Sequence, residues 1–384
     1  MPNKVTRPLD GVRVLDFTRV LAGPFCTAML ADIGAEVIKV ESGSGDDQRH
    51  MGAMRNGASI NFELINRNKK SICLDLKSDE GRAVVAALVP HCDVVVENFR
   101  PGVAARLGLD YDALSALRPG LIHCSISGFG QAGPLAARPS YDVVAQAMSG
   151  FMSVTGDPDG PPVFAGDSIG DTVPGIYAAW AICAALFRRE RTGQGGQVDV
   201  AMFDCLFSLL PTALAQMQLT GQPPQRSGAN HPLSAPFGAY SAQDDYFILA
   251  VANAPLFQRL SDLMGQPDLP RDPRFASDSQ RRAHEPELRA IIEAWASDRS
   301  AETVIADLEA AGIPAAPIWN VVQAAASPQT AYRQLLTPCV ETATGPLDLP
   351  EQPVLFSDTP RGAQAAAPRL GADADHIAEI LNKE

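Results

Sequence analysis

The chain has no C-x-x-C pair and no H-E-x-x-H, and each absence removes a chemistry. Its seven cysteines (26, 73, 92, 124, 183, 205 and 339) are widely spaced and mostly set in apolar runs. Such thiols behave as small buried hydrophobes, so a reducing compartment is expected, with neither a disulfide framework nor a zinc site. The six histidines show no close pairing, which leaves no metal site visible. His123, inside LIHCSIS, reads as a core or strand-edge residue rather than a base. No serine-hydrolase elbow is expected, and SISGFG does not form one.

Positive charge is scarce as well: 31 Lys and Arg stand against 44 Asp and Glu, for a net charge of −13. Nucleic-acid binding rests on cations that neutralise phosphates, so this balance argues against it. A local basic cluster can still hold one anionic ligand. Lys39, Arg49, Lys69, Lys70, Lys77, Arg100 and Arg106 all fall in the first third, where they form either such a cluster or scattered surface charge. The longest apolar stretch, 175–187, falls short of the ~20 residues that span a bilayer. MPNKVTRPLDG lacks the apolar core of a secretory signal, so cytoplasm is the default and no membrane partner is expected.

With 384 residues the chain has room for two domains, or for one large domain with an insertion. RVLDF (13–17), a helix over 23–34 with Pro24 in its first turn, and EVIKVE (36–41) read as β-α-β. SICLDL (71–76), a helix over 81–92, DVVVENF (93–99) and LIHCSIS (121–127) continue the alternation. Short, nearly all-apolar strands separated by helices indicate a parallel sheet covered on both faces. Asp171 precedes a long helical pattern that runs to Arg191, followed by a strand over 197–203 and a helix over 204–217. From about residue 220 the character changes to a loop, a hairpin over 238–251 and helices at 255–264, 279–297 and 301–311. The pattern divides the chain into 1–220, a smaller domain over 221–325, and a return over 326–384 with a last helix near 373–382.

Gly128-Phe-Gly130-Gln-Ala-Gly133 fits the dinucleotide pattern G-x-G-x-x-G after a strand. That pattern must also open a helix, and Pro134 interrupts at once.

Several long stretches stand in a specific order: 9–41, NRNKKSICLDLK (66–77), CDVVVENFRPG (92–102), SYDVVAQAMSG (140–150), GDSIGDTVPG (166–175) and RERTGQGGQVDVAMFD (189–204). Together they resemble the class III CoA-transferase family, which includes formyl-CoA transferase, over nearly the whole chain. The resemblance implies an α/β fold: a Rossmann-like parallel-sheet large domain, an inserted smaller α+β domain, and an interlocked homodimer. It implies no tightly bound cofactor. Coenzyme A and acyl-CoA are substrates, and small carboxylic acids exchange the CoA. The family's nucleophile is an aspartate before a helix, matched by Asp171 in IGDTVPG. On local sequence alone such an aspartate is an N-cap. Asp167 is the rival carboxylate and reads as a loop residue. By position, CoA contacts carry over to Leu21, Ala22, Leu74, Lys77, Asn98, Phe99, Arg100 and Arg106, with Tyr141 and Asp142 lining the reaction cleft.

Two departures concern substrate choice. Ser42 stands where the formyl-CoA enzymes carry an arginine, and their glycine-rich loop has no counterpart in ANHPLSAPFGAY (229–240). Two other functions share the scaffold. A 2-methylacyl-CoA racemase would need a histidine where this chain has Tyr141, since two-base proton exchange needs both partners. A non-catalytic CoA-binding protein would not need Asp171.

Overall fold

Val14 and Leu15 are both fully buried, yet they belong to different cores. Successive side chains of a strand point to opposite faces, so apolar residues at both parities require cover on both sides. The computed structural model describes residues 7–339, 341–359 and 365–382, so the first six residues of MPNKVTRPLDG lie outside it. Its main sheet is parallel throughout. The strands are β1 (Arg13–Asp16), β2 (Glu36–Glu41), β3 (Lys69–Cys73), β4 (Val94–Glu97), β5 (Ile122–Ser127) and β6 (Gly196–Ala201).

The spatial order of these strands is β3-β2-β1-β4-β5-β6. One face packs Val14, Val37, Val94 and Ile122 against helices α1 (Ala22–Asp32) and, further along the chain, Ile169–Thr192. The other packs Leu15, Ile38 and Val95 against α2 (Asp79–Leu88) and the last helix, Ala374–Leu381. The order reverses between β1 and β4. In doubly wound sheets ligands bind outside the carboxyl ends of the strands at such a switch point.

The helix Ile169–Thr192 is long and apolar enough, by length and composition alone, to cross a membrane. The 175–187 stretch underestimates it. Ala178, Ala179, Ile182, Ala185 and Leu186 on one of its faces are buried in the sheet's core, as in a core helix. It approaches α1 closely because residue 175 is glycine: a Cβ there would lie 2.8 Å from the Ala22 carbonyl oxygen.

Several boundaries differ from the sequence expectation, each for a local reason. The helix expected over 204–217 is two, Met202–Ser208 and Pro211–Thr220, because Pro211 cannot continue a helix and readily begins one. The stretch 279–297 likewise divides at His284, ahead of Pro286. The strand at SICLDL begins earlier, at Lys69, and ends at Cys73. A lysine reads as a poor core residue, but Lys69 is buried with its ammonium 3.3 Å from Asp16 and 2.9 Å from the Asn66 side-chain oxygen.

By contacts the chain divides into two compact units. One comprises Met1–Phe151, Phe164–Thr212 and Pro328–Glu384, and it contains the parallel sheet. The other comprises Met152–Val163 and Ala213–Ser327. In the second unit Phe237–Ser241 and Tyr246–Ala250 form the antiparallel hairpin, with Ala315–Pro317 paired to its second strand. Phe247, Leu249, Phe257 and Ile292 are part of its own core.

The Asp16–Lys69 pair gives a direct test of the first unit's packing. Burial works against the Asp16 charge, but Lys69, Lys39 and the hydroxyls of Thr18 and Thr27 hold its carboxyl below the usual range. Removing one member of a buried pair strands the other, at about 3–5 kcal/mol. Asp16→Ala should therefore lower the urea midpoint by that amount of stability, and an unchanged midpoint contradicts the pairing.

Candidate active site

Loops leaving the carboxyl ends of β1, β4 and β5 wall one cleft. They contribute Arg19 to Ala22, Asn98 to Pro101, and Ile126 to Gly128, and Asp171 opens into the same cleft. Its volume of about 170 Å³ is smaller than the ~300–1,000 Å³ of a whole-ligand site, so it suits the reacting end of a larger molecule.

The β1 loop is held under strain. Val20 has φ +67°, a left-handed conformation that a β-branched residue rarely adopts. The Val20 N–H donates to Asp46 at 2.9 Å, and buried Lys39 is paired with Asp46 at 2.8 Å. Asn98, from the β4 loop, accepts from the Arg19 N–H at 2.9 Å and donates to the Arg19 carbonyl at 2.8 Å. Backbone strain of this kind persists only where surrounding contacts over-determine it.

Two helices bring the carboxylate to the cleft, α3 (Asp142–Met148) and α4, the helix Ile169–Thr192. Asp171 does not precede α4 as the sequence suggests; it lies inside the first turn. It is no N-cap either, since Ser168 holds that place and makes no side-chain cap. The Asp171 carboxylate is partly buried and makes no side-chain hydrogen bond or ion pair among the described residues. Burial, and then the like charge of Asp142, push it up from the usual 3.8 to about 7. Asp167 is an exposed loop residue that accepts the Ser168 N–H at 2.7 Å.

Of the residues singled out from sequence, Leu21, Ala22, Asn98, Phe99, Arg100, Tyr141 and Asp171 line this cleft together. Leu74, Lys77, Arg106 and Asp142 do not. Leu74 packs against the core on the other face of the sheet. Lys77 is exposed in the turn before α2, and Arg106 is exposed in the short helix Val103–Leu107. Asp142 turns to the backbone of α4, where it accepts the Gly170 N–H at 2.6 Å.

The basic cluster of the first third is largely dissolved. Lys39 pairs with Asp46, Arg49 with Glu41, Lys69 with Asp16 and Lys70 with Glu36. The cleft's cations are Arg100 and two residues the sequence reading passed over, Arg19 and Arg138. Arg19 lies 3.3 Å from Asp47, with both side chains more than half exposed, a pairing of little worth. Arg100 and Arg138 are exposed and have no ion pair among the described residues. Arg19 was findable, because it sits in the loop after the first strand. Arg138 was not, because its place depends on where the 128–141 segment folds back.

The other motif readings resolve simply. His123 is buried with Nε2 on the Leu109 carbonyl, and burial lowers its pKa. The glycine-rich segment after β5 is a loop in which the Gln131 N–H donates to Asp199, with the next helix at Asp142. One motif was missed: Gly166-Asp167-Ser168-Ile169-Gly170 does spell G-x-S-x-G. It follows a loop rather than a strand, so the strand–turn–helix context of a nucleophile elbow is missing.

The cleft at the switch point thus brings together a carboxylate with no cation and two guanidiniums, Arg100 and Arg138, with no ion pair among the described residues. Residues 9–374 match CoA-transferase family III, and the chain belongs to that family. It is 43% identical to the acetyl-CoA:oxalate CoA-transferase of Acetobacter aceti, covering 100% of this chain and 97% of that protein. It is 40% identical to the succinyl-CoA–D-citramalate CoA-transferase of Chloroflexus aurantiacus, covering 98% and 93%. A CaiB/BaiF family protein from Brucella suis, solved by crystallography, superposes with a TM-score of 0.86 at 38% identity, covering 98% and 100%. The chain is a CoA-transferase, an enzyme whose class takes CoA thioesters as substrates.

A carboxyl whose folded pKa exceeds its unfolded one costs stability as pH rises between the two. Asp171→Asn should therefore be more stable than the parent in urea by on the order of 1–2 kcal/mol at about pH 8, after allowance for solvent screening. The advantage should shrink toward about pH 4, where the unfolded carboxyl also holds its proton. A pH-independent difference contradicts the assignment.

Proposed function

We propose that Asp171 is the nucleophile that carries CoA between carboxylic acids. The observation behind this reading is a first-turn carboxylate, open to the cleft and unpaired among the described residues. Its basicity near neutral pH suits a nucleophile: enough is ionised to react, and the ionised form is less stabilised than an ordinary carboxylate.

One Asp171 oxygen attacks the thioester carbonyl of the donor. The tetrahedral intermediate expels CoA thiolate and leaves a mixed anhydride. The thiolate then attacks the aspartyl carbonyl, releasing the donor acid and leaving an aspartyl-CoA thioester. The acceptor carboxylate attacks that thioester to form a second anhydride, and thiolate attack on the acceptor's acyl carbon frees both product and Asp171. No proton is gained or lost. Partial positive charge at the start of α4 favours each anionic intermediate, and water must be kept out because anhydrides hydrolyse.

Leu21, Ala22, Asn98, Phe99 and Arg100 border the reacting end of the coenzyme in this reading, and Tyr141 the acid. Leu74, Lys77 and Arg106, outside the cleft, serve the remoter parts of CoA, with lysine and arginine on its phosphates. Asp142 acts through the backbone of α4. No tightly bound cofactor is needed. The acceptor is a small dicarboxylate, by analogy with the relatives named for oxalate and D-citramalate. The racemase reading has no support from the site, where Tyr141 offers no imidazole.

The domain reading is 1–220 and 326–384 as one CoA-binding domain with 221–325 inserted, in a cytoplasmic protein that works as an interlocked homodimer. The dimer is supported by α4, where Ile176, Trp180 and Phe187 are 47, 66 and 63% exposed on one helix face. An apolar stripe of that size on a long helix asks for a partner, and Trp180→Glu should shift the sedimenting species from dimer toward monomer. A parent chain that sediments as a monomer contradicts the assembly.

The function is tested by exchange of CoA between several acyl-CoAs and a panel of acids, read by mass. Asp171→Asn should lose at least about 10³-fold in turnover while CoA binding stays within about tenfold, because the amide keeps the shape and loses the nucleophile. Parental turnover in that variant removes the proposal.

A further inference from the structure

Gln146 is fully buried, and the chemistry above gives it no role. It lies on α3 one turn after Asp142. Its side-chain nitrogen donates to both Asp142 carboxylate oxygens, at 2.9 and 3.0 Å. Its side-chain oxygen accepts the Ala165 N–H at 2.9 Å. Asp142 Oδ1 in turn accepts the Gly170 N–H at 2.6 Å.

These bonds form a chain that ends beside Asp171. The first turn of a helix leaves N–H groups without partners, and Ser168 gives none of them a side-chain cap. The cap comes instead from another helix, through Asp142. Residue 170 must be small for this: a Cβ on Gly170 would lie 2.6 Å from Asp142 Oδ1 and 2.8 Å from the Asp142 carbonyl oxygen. Position 146 is equally constrained. It must donate to a carboxylate at one end and accept from a backbone N–H at the other, and the glutamine amide carries both functions without a change of charge. The Gly170 N–H bond to Asp142 ties α3 to the start of α4, and the Ala165 N–H bond to Gln146 ties it to the strand-free segment that leads into α4.

Resting on the reading of Asp171 as nucleophile, we infer that Gln146 is a positioning residue: it locks Asp142 onto the Gly170 amide and so fixes the turn that carries the reacting carboxylate. It touches no substrate. Its loss frees the Asp142 carboxylate to turn away, and the first turn of α4 loses its cap. Small displacements of a reacting group cost rate far more than they cost binding, because binding is spread over many contacts.

Two variants test this on the full-length chain. Gln146→Met keeps the length and removes both polar functions. Gly170→Ala favours the helix yet pushes Asp142 off the amide. With any CoA thioester and acid pair that the parent turns over, each folded variant should lose about 10- to 100-fold in kcat. KM for the thioester should stay within about threefold, the split expected when an interaction acts on the chemical step and not on binding. Parental kcat in a folded variant overturns the inference, and so does a rise in KM with kcat unchanged. If Gln146→Met does not fold, Gly170→Ala decides alone. Failure of the underlying reading is separately visible: the parent, incubated with acyl-CoA and then hydroxylamine, would carry no mark at Asp171.

Discussion

Asp171 enters its cleft as a carboxylate with no cationic partner among the described residues, and the proposed chemistry depends on that omission. Four other buried carboxylates of the same unit are treated otherwise. Asp16 meets Lys69, Asp46 meets Lys39, Glu41 meets Arg49 and Asp32 meets Arg67. Each of those charges is spent on structure. Asp171 is given burial and a second carboxylate instead, and both raise its affinity for a proton. Buried Glu97 and Glu63 also lack an ion pair among the described residues, but backbone N–H groups donate to both, whereas no such bond reaches the carboxylate proposed to meet the electrophile.

The sheet determines where that happens. Its strand order turns back between β1 and β4, and the loops leaving those two strands diverge there to open a crevice. Internal charge then shapes the walls. Lys39 and Asp46 hold the left-handed turn at Val20, and Asn98 clasps Arg19 from across the crevice. The buried ion pairs therefore connect the sheet's polar interior to the geometry of the site, and a fault in them reaches the cleft through the β1 loop.

Much of this was legible in the sequence, and the rest was hidden for identifiable reasons. The strands announced themselves because a parallel sheet covered on both faces needs runs such as VVVE, apolar at both parities, while IHCSIS is apolar at one parity and buries His123, Ser125 and Ser127 at the other. The long helix was legible, though the place of Asp171 inside it was not, because an aspartate ahead of an apolar helical pattern itself reads as the cap, a place that Ser168 holds. The lysines misled. Lys39 and Lys69 look like a cationic surface until Asp46 and Asp16 are brought beside them, and that pairing is a property of the fold. Asp142 and Gln146 are four apart on one helix, but their target, Gly170, is 28 residues from Asp142. No local pattern encodes that bond.

The central claim is that an oxygen atom passes through Asp171 during each transfer. In a single turnover with acceptor acid carrying ¹⁸O in its carboxylate, one labelled oxygen should remain on the aspartate when the product thioester leaves. The peptide containing Asp171 would then gain about 2 Da, localised to that side chain by fragmentation. An acyl-CoA product formed with no mass gain on that peptide would contradict the account.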